Sequence, residues 1–346
     1  MQQKNRCIFF HTTKKYFLPA TFVIALVSML LFSGCTTKKE NTIKIEGAFA
    51  LTPMMEKWAL EYRKIHPDII IDINANGAGA GMANALLGLA DIGMVSREVN
   101  NTEIQRGAFW VSVVKDAVVA TINARNPVLS TILEKGITKQ QLRDIFITGN
   151  ISTWGQLIGN SSITDKIIVY TRSDSCGAAE TWANYLGPYK QNDLGAHVDL
   201  DRISAVNGDN TLAATIQREQ FGIGYNNIGY VYTKKIDAST VVPADDLIPV
   251  PIDLNNNGIL DDEEKFYSNR MSLIHAINNN IYPSPPARAL HLVTLHNFSG
   301  ITKDFVRWIL TEGQQYVLDT GYVPLSQEFI NEQLRYLEEG TRPELS

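Results

Sequence analysis

The sequence predicts an α/β protein in which mostly parallel sheets carry helices on both faces. Three observations lead there. Short apolar strands alternate with segments whose apolar residues recur at helical spacing, the order that buries a parallel sheet between helices. Glycine-rich or small-residue loops follow the early strands, at the carboxyl ends where such sheets hold their ligands. The chain of 346 residues is also long enough for two lobes of ordinary size.

Residues 1–34 stand apart from this pattern. They carry Lys4, Arg6, Lys14 and Lys15 with no acidic residue, then an apolar run over 17–32 containing Pro19, and close on Leu31-Phe32-Ser33-Gly34-Cys35. A basic start, an apolar middle and a small-residue end mark a signal segment, and the ending resembles a bacterial lipoprotein processing site. The expectation is a signal peptide over 1–34, lipidation of Cys35 and a polar tether over 35–41. The mature protein would then sit outside the cytoplasm, lipid-anchored to the cell membrane on its periplasmic side. A membrane-spanning helix needs about 20 apolar residues, and no later run is long enough.

The fold begins after the tether. A strand is expected over 42–46, a Gly47-to-Pro53 turn next, and then a helix in which Met55, Trp58, Ala59 and Tyr62 share a face. A second strand over 69–73 runs into Asn76-Gly77-Ala78-Gly79-Ala80-Gly81 and a helix ending near Gly88. A third unit opens at Asp91-Ile92-Gly93-Met94-Val95-Ser96-Arg97. Two strands over 111–114 and 117–120 then lead out of the first lobe, and a second α/β unit occupies about 127–287. A strand over 290–295 and helices over 304–310 and 313–318 close the chain.

Charge and cysteine content exclude some classes. With the signal segment removed, 312 residues remain, and 27 basic residues face 36 acidic ones, a net charge of about −9 that disfavours nucleic acid as a partner. Of the three cysteines, Cys7 leaves with the signal and Cys35 would be acylated. Cys176 is then a lone thiol, no internal disulfide can form, and a small buried residue is the reading adopted for it. A nucleophilic role would need a positioned base, and the histidines form no partner motif. Their spacing does not suggest zinc either.

The segment 253–264 matches a twelve-residue calcium loop. Asp253, Asn255 and Asn257 offer side-chain oxygens, Ile259 a carbonyl, Asp261 a direct or water-mediated ligand and Glu264 two carboxylate oxygens, with Gly258 at the turn. The prolines before it rule out a preceding helix, so a structural Ca2+ in an isolated loop is expected. No catalytic cofactor is expected.

Several motifs in order resemble one family. They are the Gly47-to-Pro53 loop, the Gly77-to-Gly81 loop, Asp91-Ile92-Gly93 followed by Ser96-Arg97, Thr153-Trp154, Arg172-Ser173-Asp174-Ser175-Cys176-Gly177, Gly222-Ile223-Gly224-Tyr225 and Gly321-Tyr322-Val323-Pro324-Leu325. Together they resemble the phosphate-binding proteins that feed periplasmic ABC importers. The resemblance implies a two-lobed periplasmic-binding-protein type II fold whose lobes are joined by two crossing strands. It places one lobe at 42–122 plus 289–346 and the other at 123–288. It also implies a binding protein rather than an enzyme, a monomer, with inorganic phosphate as ligand and an ABC permease in the inner membrane as partner.

The implied anion site comprises Leu51, Thr52, Ala78, Gly79, Ser96, Arg97, Arg172, Asp174, Ser175, Cys176, Gly177 and Ala178. Helix starts near Thr52, Gly79 and Gly177 would aim N–H groups and positive dipole ends at an oxyanion. Arg172 would add a planar fork oriented by Asp174. The family usually carries hydroxyl side chains where this chain has Leu51, Ala78, Cys176 and Ala178, and each lost hydroxyl bond to a charged oxygen costs roughly 1.5–3 kcal/mol. Phosphate is therefore the first reading, and another small anion, an organophosphorus compound or a carboxylate, is the second. An enzyme using Cys176 or a metal, and an anion sensor or adhesive surface protein, are the remaining alternatives. Asp91, Asp174 and Asp209 are the carboxylates available to accept a proton from the ligand.

Overall fold

The computed structural model describes residues 41–234 and 241–341. The expected signal segment and Cys35 lie outside them. Among the described residues nine strands share one sheet: β1 (Thr42–Gly47), β2 (Ile70–Ala75), β3 (Ile92–Val95), β4 (Ala108–Asn123), β5 (Ile168–Arg172), β6 (Ile203–Val206), β7 (Gly222–Asn227), β8 (Leu247–Pro249) and β9 (Ala287–Leu295). Their order is β2-β1-β3-β9-β4-β7-β5-β6, with β8 paired to β4.

Two parallel trios make up the ends of this sheet. β2, β1 and β3 belong to the first lobe, and β7, β5 and β6 to the second. Every residue of β3 and β7 is buried, as strands covered on both faces require. The helices Thr52–Ile65 and Ala78–Leu86 cross between first-lobe strands. Met54, Met55, Trp58 and Tyr62 lie in the core, as their spacing suggests, and Trp58 Nε1 donates to the Gly313 carbonyl oxygen at 2.8 Å. In the second lobe Trp182 stacks on Tyr225, their centroids 6.0 Å apart, and meets Phe146 edge-on at 5.7 Å.

β4 joins the trios. The sequence suggests two short strands here, but the structure has one unbroken strand of 16 residues. Its Ala108-to-Ala117 part pairs antiparallel with β9, and its Val118-to-Ile122 part pairs antiparallel with β7. Lys115 and Asp116 interrupt the apolar run without ending the strand, because Asp116 is buried opposite Arg288 on β9. The chain returns near Pro286, whose carbonyl accepts from Val118 N–H at 3.2 Å.

Near the C-terminus the helix Gly300–Leu310 is present, but 313–318 is divided between a tight turn, Glu312–Tyr316, and the short helix Val317–Thr320. A further helix, Gln327–Glu339, was not expected. It has its own signals: Ser326 Oγ accepts from Phe329 N–H, and Ile330, Gln333, Tyr336 and Leu337 form its buried stripe.

Candidate anion site

The carboxyl ends of β1, β3 and β5 converge where the lobes meet, around a small, partly open cavity of about 10 Å³. The first lobe supplies Ala48, Phe49, Ala50, Gly77, Ala78 and Ser96 to its wall. The second supplies Arg172, Asp174, Cys176, Gly177, Ala178 and Asp209.

Arg172 is the last residue of β5 and its side chain is fully buried. Nε donates to Asp174 Oδ1 at 2.8 Å and Nη2 to Asp174 Oδ2 at 2.6 Å, the orienting fork expected from their spacing. Nη1 forms an ion pair with Asp209 Oδ1 at 2.8 Å, so two carboxylates hold the guanidinium at the wall. Burial opposes the guanidinium charge, but Cys176, Asp209 and Asp174 outweigh it and hold the group above its usual value. Gln191 Nε2 donates to the Asp174 carbonyl oxygen at 2.6 Å, and its Oε1 accepts from Cys176 N–H at 2.9 Å, which fixes the loop between strand and helix.

Helix starts surround the guanidinium. The helices Ala78–Leu86, Gly177–Leu186 and Asp209–Arg218 follow Gly77, Cys176 and Gly208, and none of these caps supplies a side-chain bond to the first turn. First-turn N–H groups have no intrahelical backbone acceptor; Thr211 N–H is taken by Asn210 Oδ1 at 2.9 Å, and the others are candidate donors for a ligand. Glycine permits the lobes to approach here. A Cβ on Gly77 would lie 2.8 Å from the Ser175 carbonyl oxygen, and one on Gly177 would collide with Ser96, whose carbonyl carbon would be 2.8 Å away. Tyr230 Oη also reaches across, donating to the Phe49 carbonyl oxygen at 3.0 Å.

Among the residues expected at the site, Ala78, Ser96, Arg172, Asp174, Cys176, Gly177 and Ala178 come together on the wall. Gly79 and Ser175 lie behind it, pressed against each other. Leu51 is fully buried in the first-lobe core, and its place on the wall is taken by Ala50 and Phe49. Thr52 Oγ1 donates to the Ala48 carbonyl oxygen at 3.1 Å. Arg97 does not line the cavity: its guanidinium forks onto Glu103 at 2.6 and 2.9 Å. Asp91 is elsewhere, accepting from Lys44 N–H at 2.9 Å. Asp209, only one of three candidate carboxylates in the sequence, is on the wall, and burial holds its carboxyl above the usual range despite Arg172. Burial pushes the Cys176 thiol up to about 12, although Arg172 pulls against it.

In the 253–264 loop, Asp253 accepts from Asn257 N–H at 3.2 Å and Gly258 N–H at 2.9 Å. Glu264 accepts from Leu254, Asn255 and Asp261 N–H. The Asn255 and Asn257 amides both donate to Asp261, at 2.7 and 2.9 Å. Ile259 is exposed at the tip. The carboxylates are thus engaged by N–H donors, and among the described residues no group of three or more His, Cys, Asp or Glu is placed to hold a metal.

A family model described as the PBP superfamily domain matches residues 35–312. The chain belongs to the PBP superfamily. Among the curated relatives of this superfamily member is the phosphate-binding protein PstS of Methanocaldococcus jannaschii, 24% identical, with 88% of this chain and 90% of the relative covered. The PstS of Pseudomonas aeruginosa is also 24% identical, with coverages of 84% and 85%. Among solved structures, a putative phosphate ABC transporter substrate-binding protein with bound phosphate from Clostridium perfringens is 26% identical, with a TM-score of 0.64 over 83% of this chain and all of that one. An ABC-type phosphate transport receptor from Vibrio cholerae shares the fold, with 21% identity and a TM-score of 0.58 over 82% of this chain and all of that one.

Proposed function

We propose that this protein captures phosphate between its two lobes and delivers it to an ABC permease. The observation that carries the reading is the fully buried Arg172 guanidinium on the wall of a pocket ringed by helix starts that have no side-chain cap. A tetrahedral oxyanion supplies acceptors to all of these donors at once. The names of the relatives support the same ligand. Calorimetric titration with phosphate tests it. Arg172→Ala should weaken binding by roughly 2–5 kcal/mol, more than tenfold, because the anion stays buried and underpaired. Wild type without affinity for phosphate would refute the reading.

The alanine wall favours one second reading. Ala48, Ala50, Ala78 and Ala178 offer methyl groups, which suit an organophosphorus compound or a carboxylate, and both belong in the titration series. Binding rather than catalysis fits Cys176, whose buried thiol is a poor nucleophile at neutral pH.

The remaining assignments belong to the same proposal. The basic and apolar segment ending at Cys35 supports a cleaved signal and a lipid anchor outside the cytoplasm. No helix among the described residues is long and apolar enough to cross a membrane. Lobes at 42–122 plus 289–346 and at 123–288 fit a monomer that closes about β4 and β9. The ligand spacing at 253–264 supports a structural Ca2+, which would displace the N–H donors from those oxygens.

A further inference from the structure

β4 and β9 carry a directly opposed pair, Asp116 and Arg288. Their side chains are 1% and 4% exposed, and Arg288 Nη2 lies 3.5 Å from Asp116 Oδ2. The guanidinium reaches further. Nη1 donates to Thr181 Oγ1 at 2.9 Å, on the helix whose first turn lines the cavity, and Nη2 donates to Asn227 Oδ1. Asn227 Nδ2 then donates to Asp209 Oδ1 at 2.8 Å, the same oxygen that faces Arg172 Nη1. A buried polar chain therefore runs from the joining strands to the wall of the cavity.

The charges in this chain do not balance. Arg172 and Arg288 face Asp174, Asp209 and Asp116, so an ionised Asp116 leaves an excess negative charge beside a site for an anion. A protonated Asp116 leaves the cluster neutral. We propose that Arg288 and Asp116 are positioning residues for the anion site: Arg288 holds Asp209 through Asn227, and Asp116 takes up a proton when the anion binds.

This rests on the oxyanion reading of the cavity. Burial pushes the Asp116 carboxyl up to about 7, with Arg288 and the Ala117 N–H pulling down and Asp209 adding to the rise. The groups that face it are Arg288 on β9, Asp209 at the start of its helix, and the phenols of Tyr230, Tyr282 and Tyr322. Burial keeps all three phenols above their usual range.

The test is calorimetric titration of phosphate into wild type, Asp116→Asn and Arg288→Lys between about pH 5.5 and pH 8.5. Phosphate's own titration is common to all three and cancels in ratios of Kd. The ratio of wild-type to Asp116→Asn Kd should rise with pH by about threefold or more, as the buried charge appears only in wild type. Arg288→Lys should weaken binding at every pH and keep the wild-type slope. An infrared difference spectrum of wild type, bound minus free at neutral pH, should gain a protonated-carboxyl band, and this needs no variant to fold. A constant ratio across pH, or a spectrum without that band, overturns the proposal while leaving the oxyanion site intact. Wild type that binds no phosphate at any pH removes the oxyanion reading itself, and this inference with it.

Discussion

Replacing Gly177 by alanine adds one methyl group where the lobes touch. The position is the first residue of a helix and its φ is not in the left-handed region, so alanine suits the backbone. The obstacle lies across the cavity. The new Cβ would stand 2.8 Å from the Ser96 carbonyl carbon and closer still to its carbonyl oxygen, and this is backbone that cannot swing aside. Overpacking of this kind costs about 1–3 kcal/mol. If the contact exists only in the closed, liganded state, the whole cost falls on binding, weakening phosphate affinity by between about fivefold and a hundredfold. The unliganded protein should melt at the wild-type temperature or slightly above, since alanine is the better helix former. Calorimetry and ligand-free melting together decide the matter. Unchanged affinity, or a fall in ligand-free melting temperature to match the lost affinity, would refute closure onto Gly177.

Three further outcomes follow from the same structure. Asp116 is held above its unfolded value, so its contribution to stability is full below about pH 3.8 and lost as pH rises to about 7; denaturant unfolding of Asp116→Asn should lack this decline, so its stability relative to wild type should rise by up to about 4 kcal/mol over that range. If the 253–264 loop binds calcium, melting should rise with added calcium and fall with a chelator, and Glu264→Gln should remove most of that response. Mass spectrometry of protein from membranes should find Cys35 as an acylated N-terminus, and a chain starting earlier would remove the anchor.

Much of the fold is legible because each β–α step in the first lobe announces itself locally: an apolar strand, a glycine loop, then a helical stripe. Arg172 and Asp174 are legible for a similar reason, since their spacing at a strand end lets one carboxylate meet the guanidinium. Other features depend on contacts distant in sequence. Lys115 and Asp116 look like a strand end until Arg288 is placed opposite. Leu51 and Ala50 are adjacent in one tight turn, Phe49–Leu51, and only packing decides which of them faces the cavity. Arg97 belongs to Glu103 because Glu103 sits in the capping box of the helix Asn101–Gln105. Asp209 follows Gly208 at a helix start, the pattern already visible at Gly177, yet its carboxyl reaches the site through partners on two other strands.

β4 also determines how this molecule can be taken apart. Cutting this strand at its midpoint leaves β9 on the later fragment while its two neighbours, β3 and the first half of β4, stay on the earlier one, so β9 and β3 are left with raw, unpaired edges. Such edges recruit other chains. Separate expression of the halves should therefore give aggregates, and their refolding should require both fragments together. The two ends of the fold share a single backbone ladder.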